Sequence, residues 1–122
     1  MRAFVRCAGG YGTAVSVRRE RGMSAEPEVV FNTATDPARV SGWLPAPLHR
    51  PPAATEPGHS ASWRDDAGVW RADLLVEDTP VGGAVAVLEM TADGLDEGGL
   101  TAVVEQALFE LDREVADNLT AG

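Results

Sequence analysis

The segment Glu28-Val-Val-Phe-Asn-Thr-Ala-Thr-Asp-Pro-Ala-Arg-Val-Ser-Gly-Trp-Leu-Pro45 decides how this chain folds. It reads as two short helices punctuated by Asp36-Pro37, with Trp43 closing the second. Upstream, Ser24 is the expected N-cap of the first helix, and Pro27 is tolerated in its first turn. Val30 and Phe31 supply that helix's apolar contacts. Asp36 then caps a restart, and Pro37 at the first helical position forfeits only a hydrogen bond that would be unmade anyway. The second helix is expected to end near Gly42, after which Trp43 and Leu44 follow and Pro45 blocks continuation.

Working outward, Val15 and Val17 alternate with Ser16 and Arg18, which predicts a half-buried strand from Thr13 to Arg21. Residues 1–12 have no periodicity and contain Gly9, Gly10 and Gly12, so they read as a flexible lead to one domain over 13–122. Downstream, residues 45–60 hold five of the eight prolines and both histidines. A stretch this long without periodicity is usually a functional loop or locally disordered. Pro47–His49 is the place within it where a further strand could fall. A hairpin follows, Ser60–Arg64 and Val69–Glu77 around Asp65-Asp66-Ala67-Gly68, and then a strand over Ala84–Thr91 after the turn at Thr79–Gly83. Trp70, Ala72, Leu74 and Val76 share one face of the middle strand, opposite Arg71, Asp73 and Glu77.

The last element is a long amphipathic helix. Leu100, Val104, Leu108, Leu111, Val115 and Leu119 recur at three- and four-residue steps and form one stripe. Asp96 can cap it and acids crowd its first turn. Gly98-Gly99 costs about 1 kcal/mol per residue relative to Ala, which predicts a start delayed to about Leu100.

Composition excludes several classes of function. The 122 residues, 44% hydrophobic and 24% charged, suit one ordinary globular domain. No apolar run approaches the roughly 20 residues of a membrane span, and the N-terminal apolar stretch is too short for a secretory leader, so a cytoplasmic location is expected. One cysteine, Cys7, excludes an internal disulfide and a Cys-rich zinc site. All ten basic residues are Arg, and net charge runs from +3 over residues 1–50 to −12 over 51–122. Such acidity opposes nucleic-acid binding and anionic membranes, and otherwise serves solubility.

The order strand, two short helices, antiparallel strands, long C-terminal helix resembles the START-like, or SRPBCC, superfamily, in particular its polyketide cyclase/dehydrase and lipid-transport branch. The specific match is Val30-Phe31, then Thr35-Asp36-Pro37, then Trp43-Leu44-Pro45. The resemblance implies an α+β helix-grip fold, a curved antiparallel sheet wrapped around the last helix, and an apolar ligand held between them. The matching residues cap helices and plug a seam, so they point to fold and not to chemistry. With three clear strands between the short helices and the last helix, the sheet is shorter than the family's usual one. Any cavity should then be small, open on one side, or completed by a second subunit.

No catalytic signature is present. His49 and His59 lie ten apart without a carboxylate or Cys at ligand spacing, and Gly9-Gly-Tyr-Gly12 lacks the Lys-Ser/Thr of a phosphate loop. No metal, cofactor or catalytic set is therefore expected. The candidate ligand-binding residues are Arg19, Phe31, Trp43, Trp70, Leu74, Leu108, Leu111 and Val115. Arg19 continues the face of Val15 and Val17. Either it points into the cavity and meets Glu89 or Asp73, or the strand has reached solvent there. Trp63 and Trp70 flank the hairpin turn as a pocket wall or as cross-strand packing. Asn118 and Glu114 are polar groups on or beside the helix stripe, able to orient a ligand or simply marking the helix end. Phe109, on the opposite face, is the candidate partner contact.

Three functions compete on these grounds. The first is a non-catalytic domain binding an apolar or amphipathic small molecule, lipid-like or polyketide-like. The second is an interaction module or homodimer working through its surface. The third is a cyclase- or dehydratase-type enzyme using Arg19, Glu89 or Glu114 as its acid–base group.

Overall fold

The computed structural model describes residues 15–121, with side chains to Leu119; Cys7 and the glycines of the N-terminal lead lie outside this span. The order is β1 (Val15–Met23), α1 (Pro27–Thr35), α2 (Val40–Trp43), a 3-10 turn (Ala46–Leu48), β2 (Ala54–Glu56), β3 (Ser60–Arg64), β4 (Trp70–Asp78), β5 (Ala84–Ala92) and α3 (Glu97–Ala121). The strands form one open antiparallel sheet in the order β1-β5-β4-β3-β2. This is the α+β architecture expected, with the long C-terminal helix against the sheet. The strand placed at Pro47–His49 is instead a 3-10 turn, and the additional strand is the short edge strand β2. Pro47 has no N–H to give a ladder, so the prolines push pairing downstream.

Alternation along the strands fixes which side is buried. Val15, Val17 and Met23 of β1, Ala84, Ala86, Leu88, Met90 and Ala92 of β5, Ala72, Leu74 and Val76 of β4, and Ala61 and Trp63 of β3 all face inward. Alanine occupies much of this inner face, so the helices come close and bring the volume themselves. Phe31, Trp43, Leu44, Leu100, Val104, Leu108, Leu111 and Val115 do so, and all are buried. The helices divide the sheet between them. α3 packs on β1 and β5, while α1 and the 3-10 turn cover β4, with the turn also meeting β3. Leu48 of that turn is completely buried.

Local chemistry explains where the elements start. Glu26 precedes a proline and is therefore held extended, at φ −65° and ψ 151°. The helix begins at Pro27, Glu26 becomes its N-cap without a side-chain bond, and Ser24 is not the cap. Asp36 does restart the chain: its carboxylate accepts Ala38 N–H at 2.9 Å and its carbonyl accepts Arg39 and Val40 N–H. Residues 37–39 form a turn rather than helix, so α2 is later than expected and includes Trp43. Asp96 accepts the Gly99 N–H at 2.7 Å and caps α3. That bond offsets the glycine penalty, and the helix starts at Glu97, not Leu100. One glycine is obligatory for a different reason. Gly83 sits at φ +84°, where a Cβ would lie 2.5 Å from the Met23 carbonyl oxygen.

The helix stripe is buried at Leu100, Val104, Leu108, Leu111 and Val115 but not at Leu119, which is 55% exposed. The stripe outruns the sheet. Leu111→Ala is expected to cost about 2–5 kcal/mol in urea unfolding, and Leu119→Ala to stay within about 0.5 kcal/mol. Equal losses at the two positions would contradict this packing.

Candidate functional site

Trp43 is the only large side chain of α2, and two neighbours hold it. Its indole N–H donates to the Ala34 carbonyl at 3.1 Å, which ties α2 to the last turn of α1. Its ring meets Trp63 of β3 edge to face, with centroids 5.5 Å apart and planes at 85°. Such a pair contributes about 0.5–1.5 kcal/mol beyond its area. Its remaining side is part of a surface groove between α2 and α3.

That groove has a volume of about 480 Å³ and is lined by Gly42, Trp43, Leu44 and Pro45 on one side. Ala102, Val103, Gln106 and Ala107 of α3 line the other. These four fall at helical spacing on one stripe, and three are small or β-branched, so α2 and α3 do not close against each other. Gln106 is the only polar side chain in the lining apart from the Trp43 indole.

One end of the groove is fixed by charge. Arg39 binds Glu114 and Asp117 of α3, each at 3.0 Å, and approaches Asp36 at 3.9 Å. The hydrogen bond to Asp117, followed by that to Glu114, raises the Arg39 pKa above its ordinary value, so it stays cationic. α2 passes so close here that a Cβ on Gly42 would collide with the Glu114 carboxylate. Asn118 donates to Thr33 of α1 at 3.0 Å. Both polar groups considered for ligand orientation are therefore occupied in fastening α3 to the short helices.

The Pro-rich segment is fastened separately. Arg50 binds both carboxylate oxygens of Asp66 in the hairpin turn, at 2.8 and 3.2 Å. The Arg50 hydrogen bond holds the Asp66 carboxyl below the usual carboxylate range. His49 bonds the Leu44 carbonyl through a ring nitrogen. Among the described residues no cluster of three or more His, Cys, Asp or Glu is placed to hold a metal ion. A smaller groove of about 280 Å³ lies on this side of α2, lined by Val40, His49, Pro51 and Pro52 among others.

The structure gathers six of the eight candidate ligand residues. Phe31, Trp43, Leu74, Leu108, Leu111 and Val115 belong to one buried cluster, each at most 6% exposed. Trp70 is half-buried at its margin. Arg19 faces the helix side as its parity requires, but it lies on an edge strand, remains 45% exposed and pairs with Glu105 at 3.6 Å. It does not meet Glu89 or Asp73. Arg18 is the residue that pairs with Glu89 across the ladder, so both acids lie on the outer face of the sheet. There Glu89 accepts from Ser16 and Asp73 pairs with Arg71. Arg19, Glu89 and Glu114 thus occupy three separate places. Phe109 is exposed, as its helix position suggested, with the Arg21 guanidinium 5.5 Å from its ring centroid.

Trp63 is the residue whose importance the sequence reading underrated. It is fully buried, and its Nε1 is without a hydrogen-bond partner. Leaving such a donor unsatisfied costs about 1–3 kcal/mol. The signal was available, since Ala61 and Trp63 alternate in step with the inward residues of the next strand.

With this geometry in view, comparison with solved structures places the fold. The chain is similar to the AHSA1-like protein from Aeromonas hydrophila, with a TM-score of 0.69 at 16% identity over 85% of this chain and 94% of that one. It is similar to the Aha1 dimer from Colwellia psychrerythraea, with a TM-score of 0.55 at 12% identity over 84% and 95% of the two chains. A third is DynU16, a protein of the dynemicin biosynthetic locus, with a TM-score of 0.66 at 17% identity over 83% of this chain and 47% of that one. No family model and no curated protein matches the sequence. The chain therefore shares the fold of these AHSA1-like structures. No helix among the described residues is long and apolar enough to cross a membrane.

Two tests follow from the fastenings. Arg39→Ala and Glu114→Ala should each lower the urea midpoint, and the double variant should lose less than the sum of the two; strict additivity would mean the pair is not coupled. The depressed Asp66 value means its tie is present above the ordinary carboxylate pKa and is lost as pH falls through the lowered one. Hydrogen exchange at Ala53, whose N–H bonds the Ser62 carbonyl at 2.7 Å, should therefore show an extra acid-induced opening that Asp66→Asn lacks. An identical profile in that variant would rule the tie out.

Proposed function

We propose that this domain binds a small apolar or amphipathic molecule, without transforming it, in the groove between α2 and α3. The observation that carries the reading is the lining: a shallow, open surface groove of about 480 Å³ whose walls are apolar. In this reading Trp43 is the ligand-contacting member of the sequence-derived set. Phe31, Leu74, Leu108, Leu111 and Val115 form the packed support behind it, and Trp70 buttresses the sheet at the margin. Arg19 holds the sheet edge to α3 through Glu105. The similarity to DynU16 adds support for a small-molecule role. A binding role is preferred to a cyclase or dehydratase because the groove lining contains no titratable side chain to serve as acid or base.

The uncharged fluorophore N-phenyl-1-naphthylamine tests this directly. It should bind with enhanced, blue-shifted emission, and Ala102→Trp, at an exposed position that fills the groove, should weaken binding by about tenfold or more. No binding by the wild-type chain, or equal binding by the variant, would remove the proposal.

A second reading, a homodimer formed through the outer face of the sheet, is favoured by one feature. Leu75 and Val87 lie in a groove of about 420 Å³ on that face, which no described helix covers, and one similar structure is a dimer. Sedimentation at micromolar concentration should then show a dimer that Leu75→Glu dissociates. A monomer in the wild-type chain would remove this reading.

A further inference from the structure

β1 is an edge strand. Its nine residues pair with β5 on one side, and among the described residues no further strand or loop backbone bonds the other side. Such an edge is a template for pairing with another chain, and proteins usually protect it with charge. β1 does carry charge, at Arg18, Arg19, Glu20 and Arg21, but the order of the signs is self-complementary. Arg18 and Glu20 are exposed and share the outer face. A second copy laid antiparallel along the edge, with the two-fold axis at Arg19, sets Arg18 of each copy opposite Glu20 of the other. In this register all nine residues of the strand overlap, and Val15 lies opposite Met23. Moving the axis by one residue sets Arg18 against Arg18, or Glu20 against Glu20, and like charges directly opposite are destabilising.

We propose that two copies of this chain associate through β1 in this register, joining their five-stranded sheets into one continuous sheet. The helix side of the same edge suits the contact. Glu105 pairs with Arg19 at 3.6 Å, Asp112 pairs with Arg21 at 2.8 Å, and the Phe109 ring lies 5.5 Å from the Arg21 guanidinium, so these three mark the flank of α3 beside β1. The axis brings the two Arg19 side chains together, but each arrives with its own Glu105, and the four charges balance. Because α3 packs on β1, pairing at the edge lays the two α3 flanks alongside each other. Phe109, 45% exposed in a single copy, then lies at the seam between them. The contact shares only Arg18 with the groove on the outer face of the sheet, and none of its residues lines the groove beside Trp43.

Sedimentation of the full chain at micromolar concentration tests this with two charge reversals, Arg18→Glu and Glu20→Arg, and with Leu75→Glu on the outer face. The wild-type chain should be a dimer. Each reversal sets like charges opposite each other at both pairs and should weaken the dimer by about tenfold or more. An equimolar mixture of the two reversal variants should dimerise again, one copy of each, because the acids of one then face the arginines of the other. Both reversed side chains are exposed, and recovery in the mixture shows that both variants are folded. Leu75→Glu should leave this dimer intact. A wild-type monomer would overturn the proposal, and so would a mixture that stays monomeric. A dimer dissociated by Leu75→Glu but not by the reversals would overturn it in favour of the outer face.

Discussion

The indole of Trp43 joins the parts of this molecule that would otherwise have little reason to stay together. Its N–H binds α1 through Ala34, its ring packs on Trp63 of the sheet, and α3 stands across the groove beside it. Ala61, Ala72, Ala84, Ala86 and Ala92 interrupt the sheet's inner face and leave volume for the helices to fill. The two short helices and α3 must bring that volume, and Trp43 is the largest piece of it. A four-residue helix has no independent stability, because helix nucleation is costly. α2 exists because Trp43 is buried, and the groove exists because α2 is held there.

The remaining fastenings lie around the rim. Arg39 joins the start of α2 to the end of α3 through Glu114 and Asp117, and Asn118 reaches Thr33. On the other side of α3, Arg19 and Arg21 of the edge strand pair with Glu105 and Asp112. The chain's early Arg excess and late acidic excess therefore have a structural use beyond solubility: N-terminal arginines grip the acidic C-terminal helix. Exposed pairs of this kind contribute little singly. Their value is in orientation, since they fix α3 at both of its long sides.

Much of this was legible from residue pattern. The two-residue period over Trp70–Val76 and the helical period over Leu100–Val115 identified the buried faces, and Asp36-Pro37 marked the break between the short helices. What failed was arithmetic at the ends. Ser24 looked like a cap because Ser usually is one, yet Glu26 is held extended by the proline after it. Gly98-Gly99 looked like a delay, yet the Asp96 cap outweighed it. Leu119 followed the stripe but lies beyond the surface that the stripe packs on. The candidate site was legible only as a list of apolar residues. Periodicity shows that a side chain is buried, but not whether it lines a space or fills one. Of the two readings of Arg19, the exposed one holds: it faces the helix side but lies 45% exposed at the sheet edge, and alternation along β4 together with the Arg18–Glu89 register puts Asp73 and Glu89 on the other face. The orphan N–H of Trp63 depends on what surrounds it in three dimensions, and no local pattern announces it.

The central claim is that the apolar groove beside Trp43, and not the outer face of the sheet, is where this domain meets a small molecule. A backbone amide shift map of the chain titrated with N-phenyl-1-naphthylamine tests it most directly. Binding in the groove predicts saturable shifts centred on residues 42–44 and 102–107. Shifts centred instead on Arg18, Asp73 and Glu89, across the sheet, would contradict it.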